Sequence, residues 1–145
     1  MKSLILSFTM VLMALLSFGK DPKLSFYVNL LPSQKVATPT TVLGSANDVS
    51  AYKGNALFLI NIGDGSAAAT NVVTLSHSAT GDGAYATITN TAGVAAIITN
   101  NSVTNALSSY SCDSARLNKY VKAGYTTTGT NTAVGVILVT PMKSQ

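Results

Sequence analysis

The sequence predicts an all-β chain: an antiparallel β-sandwich or jelly-roll-like domain, preceded by an N-terminal apolar helix and an extended arm. Three observations predict it. Short apolar runs are separated by Gly-, Asn- and Asp-containing turns at similar spacing. All five acids are Asp and there is no Glu, so strand-favouring Thr and Val outweigh helix-favouring charged residues. The stretch from Asn55 to Ser78 places two strand-like runs around Gly63-Asp64-Gly65-Ser66, a chain-reversal signal.

Residues 1–19 form the first element. Leu4, Phe8, Val11, Leu12 and Leu15 fall at helical spacing, so one face of a helix is apolar. Lys2, the apolar core and Ser17-Phe18-Gly19 also give the segment a signal-like look, with Lys20 as the mature start if it were cleaved. The segment is expected to be retained and buried against partners through that apolar face, and its apolar run is short for a membrane span. Asp21-Pro22 breaks the helix. Residues 20–39 are expected to be an arm or linker, in which Leu24–Leu31 makes a strand or apolar arm stopped by Pro32. Leu4, Phe8, Val11, Leu12, Leu15, Phe26 and Tyr27 are the expected assembly contacts.

The sandwich is expected over residues 40–145. Thr40–Leu43 is a short strand closed by Gly44. In Asn55–Ile62, Ala56, Phe58, Ile60 and Ile62 share one face while Leu57 and Leu59 share the other, so something packs on each side. Asn71–Ser78 is expected to pair with it as an antiparallel hairpin. Ala84–Thr89 and Val94–Thr99 are further strands, Asn100–Ser109 is a loop or short strand, and Ser111–Leu117 is an edge strand. Tyr120–Thr127 alternates, with Val121, Ala123 and Tyr125 on one face. Ala133–Thr140 is apolar on both faces and therefore central, and Pro141 stops it.

Bulk composition narrows the function. With 145 residues, one domain is the natural count. Hydrophobic residues are 47% and charged residues 10%, well under the roughly 25% charge usual in soluble domains. Either hydroxyl and amide groups keep the surface wet, or partners cover much of it. Net charge is +4, but the cations are scattered and only Arg116–Lys122 is locally basic. One Arg and no Trp give little support for nucleic-acid binding.

The chemistry-bearing residues are few. Cys112 is the single cysteine and His77 the single histidine. They cannot make a typical four-ligand zinc set, and neither sits in a nucleophile motif. Asp64 and Asp82 lie beside glycines, where Asp is ordinary turn chemistry, and no phosphate-binding or dinucleotide fingerprint is present. The expected catalytic, metal and cofactor residues are therefore none. Six tyrosines could line a sugar-binding face, which keeps a secreted binding module as the alternative.

Asp48-Val49-Ser50-Ala51-Tyr52 followed by Asn55–Gly63 resembles the lead-in and strand of small tailed-phage virion proteins. Leu75-Ser76-His77-Ser78 with Gly81-Asp82-Gly83, and Leu117–Thr130 with its Lys-Tyr-Val-Lys core, are similar to later segments of the same family. The resemblance spans about Asp48 to Pro141 and rests on short motifs; the long apolar N-terminus departs from it. It implies a capsid-associated or decoration-like β-sandwich without enzyme activity, resident in the virion. Its partners would be other virion proteins and copies of itself, with no small-molecule substrate and no cofactor.

Overall fold

The computed structural model describes residues 25–63, 69–101, 106–130 and 132–141. Among these residues ten strands make two antiparallel sheets. The first sheet holds β1 (Ser25–Val36), β10 (Thr132–Pro141), β4 (Asn55–Ile62) and β8 (Ala106–Asp113), in that order. The second runs β2 (Thr40–Leu43), β9 (Tyr120–Thr127), β5 (Asn71–Ser78), β6 (Ala86–Thr87). The two-residue β3 (Asn47–Asp48) adds to β9, and β7 (Ile97–Asn100) adds to β5. The chain crosses repeatedly from one sheet to the other, which is jelly-roll wiring.

The core follows from alternation. In β4, Ala56, Phe58, Ile60 and Ile62 are at most 1% exposed. They join Val73 and Leu75 of β5, Val121, Ala123 and Tyr125 of β9, and Val134, Val136 and Leu138 of β10 in one cluster. Each strand contributes every second residue, as a pleated strand with one face on the core must. Gly44 shows how tightly β2 is drawn in. Its N–H donates to the Ala123 carbonyl (2.8 Å), and a Cβ there would collide with the Leu30 carbonyl oxygen of β1.

Several expectations need correction. The runs Asn55–Ile62 and Asn71–Ser78 are strands with those bounds, but they do not form a hairpin. β4 pairs with β10 and β8, while β5 pairs with β9, β6 and β7 in the opposite sheet. Alternation fixes which face is buried, not which strand lies alongside. Pro32 does not stop the first strand. β1 continues to Val36 along β10, with register shifts between Asn29 and Leu31 and between Leu31 and Gln34. An edge strand tolerates a residue without an N–H at such an irregularity. Ser25–Val36 is thus a strand of the sandwich rather than a linker, and the sandwich starts ahead of residue 40.

The remaining bounds shift too. β8 is Ala106–Asp113, and Ser114–Arg116 is a short 3-10 turn capped by Asp113 through Ala115 N–H, so Ser111–Leu117 is not one strand. The Val94–Thr99 run divides into a Thr89–Ala95 bridge and β7, and the Ala84–Thr89 run shrinks to β6. Tyr120–Thr127 is β9 as expected, and β10 is central. The N-terminal helix over residues 1–19, with Leu4, Phe8, Val11, Leu12 and Leu15, lies outside the described residues, as does the Asp64–Ser66 turn.

Candidate assembly surface

The outer face of the first sheet is the surface that the fold leaves unexplained. Register places Tyr27, Val139, Leu57 and Ser111 in one row across β1, β10, β4 and β8. Asn29, Ile137, Leu59 and Ser109 make the next row, and Gly135, Asn61 and Leu107 the one beyond. Tyr27 is 75% exposed, Leu107 78% and Ile137 38%; Leu57, Leu59 and Val139 are half-buried. These rows hold no charged side chain. Lys35 and Asp113 stand only at opposite ends of the sheet.

The outer face of the second sheet is different. Thr41, Thr126, Val72 and Thr99 share a row, with Thr41 and Thr126 hydroxyls 3.1 Å apart. Ser76 and Lys122 follow, and the Lys122 ammonium sits 3.6 Å from the centre of the Tyr85 ring. Hydroxyls and a cation make that face more polar than the first, although the row between them, Leu43, Gly124, Thr74 and Ile97, leaves Leu43 66% and Ile97 52% exposed.

Of the expected contact residues, Tyr27 stands on the apolar face. Phe26 pairs with Thr140 in the β1–β10 register. The other five lie outside the described residues. Leu57, Leu59, Ile137, Val139 and Leu107 were not singled out from the sequence as contacts. The signal for the first four is the double-faced apolarity of β4 and β10, which reads as burial on both sides; Leu107 lies in β8, whose sequence carries no such signal.

The other candidates have local, structural roles. Cys112 is 5% exposed in β8 and His77 lies in β5, on different sheets. Burial and the neighbouring Asp113 push the Cys112 thiol up to about 11, away from the reactive thiolate. The Asn118 N–H donates to His77 Nδ1 at 3.0 Å, and burial holds the imidazole below its ordinary pKa of 6.5. Protonating Nδ1 would break that bond. The unfolded chain therefore binds the proton more tightly, and this contribution to stability is present above pH 6.5 and declines as pH falls. An NMR titration of His77 in the folded protein should give a midpoint below 6.5; a midpoint above it overturns this account.

The locally basic segment is similarly engaged. Arg116 donates to the Asn90 carbonyl at 3.1 Å. Lys119 sits 3.5 Å from Asp48, whose carboxyl is held below its ordinary value first by hydrogen bonds from Ser50 and then by Lys119. A shallow groove beside Tyr52 and Leu117 offers Asp113, Lys53 and Lys119 as its ionisable groups besides tyrosine. One carboxylate does not make the flanking pair that glycoside hydrolysis uses. The six tyrosines do not gather on one face: Tyr125 is fully buried, Tyr52 and Tyr110 pack against the core, Tyr27 stands on the first sheet's outer face, and Tyr85 and Tyr120 both adjoin Gly81 by the second sheet. Among the described residues no three of His, Cys, Asp and Glu gather as a metal site.

No family model matches the sequence, and no curated protein sequence is similar to it. In structure, the chain is similar to a chain of the T13 viral particle of infectious bursal disease virus, with 12% identity, a TM-score of 0.48, and 87% of this chain and 35% of that one covered. It is also similar to the VP2 subviral particle of the same virus, with 10% identity, a TM-score of 0.42, and 87% and 37% covered. The chain thus spans little more than a third of the length of these structures.

Proposed function

We propose that this chain is a non-enzymatic structural subunit of a virus particle, and that it joins neighbouring virion proteins through the outer face of its β1-β10-β4-β8 sheet. The observation that carries the reading is an uncharged set of rows in which Tyr27, Val139, Leu57, Ile137, Leu59 and Leu107 stand among Asn29, Asn61, Ser109 and Ser111, with no element of the described chain over it. Monomers seldom leave such a patch to water unless it serves an interaction. Covering it contributes on the order of 25 cal/mol per Å² of apolar surface, repeated at every symmetric copy. The rigid sandwich supplies the body of the subunit. The finer reading is a capsid-associated or decoration subunit of a tailed phage, supported by the short motifs between Asp48 and Pro141. In it the apolar residues 1–19 anchor the body to its neighbours.

Leu59→Lys in the full chain tests the surface. Leu59 points away from the core, so the substitution leaves the inner packing intact while placing a charge in the middle of the patch. Incorporation into particles should weaken by more than about tenfold, the effect of one poorly desolvated charge at an interface. Thermal unfolding of the free chain should stay near that of the parent. Normal incorporation overturns the assignment of this face. A companion deletion of residues 1–22, which stops short of β1, tests the anchor: a folded product that still enters particles removes that part of the reading.

A further inference from the structure

The open edge of β8 carries an inference that does not depend on the virion reading. Among the described residues β8 is the last strand of its sheet and pairs only with β4. The pairing is unbroken from Asn55–Asp113 to Ile62–Ala106, and Ser114 N–H donates to the Gly54 carbonyl at 2.8 Å, next in the same register. That bond sets the phase of the ladder. Even-numbered residues of β8 exchange hydrogen bonds with β4, so Leu107, Ser109 and Ser111 turn their N–H and C=O groups to the open side.

Exposed edges are ordinarily blunted by Lys, Pro, bulges or shortness. β8 has none of these. Its sequence, Ala-Leu-Ser-Ser-Tyr-Ser-Cys-Asp, contains no Pro and no Lys, and its one charge, Asp113, sits at the end capping the 3-10 turn. Leu107 stands 78% exposed on it. The other edge of the same sheet is guarded: β1 contains Pro32 and Lys35 and two register shifts. Head-to-tail stacking of β8 on β1 of another copy is thereby disfavoured. β2 and β7 are four residues each. Among the described residues, the regular open edge that matches β8 in length is β8 of a second copy.

We propose that two copies of this chain pair β8 to β8, antiparallel about a two-fold axis at Ser109, and so join two four-stranded sheets into one. In that register Leu107 faces Ser111 of the other copy and Ser109 faces its own counterpart. The three facing pairs supply about six inter-chain hydrogen bonds, two from each. The Asp113 carboxylates lie at opposite ends of the ladder, so no like charges meet. The interface is isologous and closes at two copies.

Sedimentation of the full chain over a concentration series tests this. The parent should show a monomer–dimer equilibrium. Ser109→Pro removes an outward N–H and no bond to β4, a change that edge strands accept; it should weaken dimerisation at least about tenfold, since each copy loses a bond. Ser109→Lys keeps every N–H but sets two like charges face to face, and should do the same; it decides the matter if the proline variant fails to fold. In a Cys112→Ser background, Ser109→Cys should cross-link to itself with a short bis-maleimide. A parent that stays monomeric at every concentration reached, or association that both Ser109 substitutions leave unchanged, overturns the proposal. Association sensitive to Leu59→Lys but not to Ser109→Pro and Ser109→Lys would leave the outer-face reading standing and this one refuted.

Discussion

Phe58→Ala is expected to destabilise the folded chain by about 3–5 kcal/mol. Phe58 is the middle of β4, fully buried, with Leu138 and Tyr110 as its neighbours on the flanking strands. Its ring lies 6.2 Å from the Tyr110 ring, tilted by 56°, and the sandwich core has no slack strand that could move in to fill the space. A cavity between two hydrogen-bonded sheets collapses poorly, which places the cost toward the upper part of that range. Against a typical total of about 5–15 kcal/mol, the variant loses a large share of its stability and melts roughly 10–15 °C lower. Leu57→Ala, one residue earlier, is the informative control. Leu57 is half-buried and faces outward, so in the dissociated chain its truncation should cost about 1 kcal/mol. Urea unfolding of the two variants measures both. Equal losses would mean that the face assignment of β4 is off by one residue, which reverses every side chain in the strand.

That contrast also shows what the sequence could and could not reveal. The bounds of β4 and β5 were legible because turn-forming residues bracket the two runs, and those of β9 because Val121, Ala123 and Tyr125 alternate with Lys122, Gly124 and Thr126. Sheet membership was not. A Gly-rich connection between two strands serves a hairpin or an arch between sheets equally well, and both leave the same inward residues buried. β8 was hidden because its inward positions are Ala106, Ser108, Tyr110 and Cys112, small or polar side chains with little periodic signal. β1 was cut short at Pro32 because a proline reads as a stop unless the strand is known to be an edge. The apolar outer face was visible as residues but misread in kind. Leu57 and Leu59 look like the second face of a doubly covered strand, and only the sheet order shows that nothing in the described chain lies over them.

Asn71→Ala should cost about 1–4 kcal/mol net of one offset: the substitution also removes a buried amide nitrogen, Nδ2, that has no hydrogen-bond partner among the described residues. Asn71 opens β5 and is fully buried. Its Oδ1 accepts from the Tyr125 hydroxyl at 2.7 Å and from the Thr127 hydroxyl at 2.8 Å. Thr127 Oγ1 in turn accepts from Gly129 N–H at 2.9 Å. One amide oxygen therefore satisfies two buried donors and ties the end of β9, through its turn, to the start of β5. Removing it leaves both hydroxyls without their acceptor inside the core, at about 1–3 kcal/mol for each orphaned group. Tyr125→Phe removes a donor instead, and Oδ1 keeps Thr127, so that change should cost only about 1 kcal/mol. The double variant should be less destabilised than the sum of the two, because the orphaned phenol is no longer there to be penalised. Urea unfolding of the cycle measures this coupling. If Asn71→Ala costs less than about 1 kcal/mol, or if the two effects simply add, the shared acceptor is not what holds this end of the sheet, and the packing of the Tyr125 ring alone must do so.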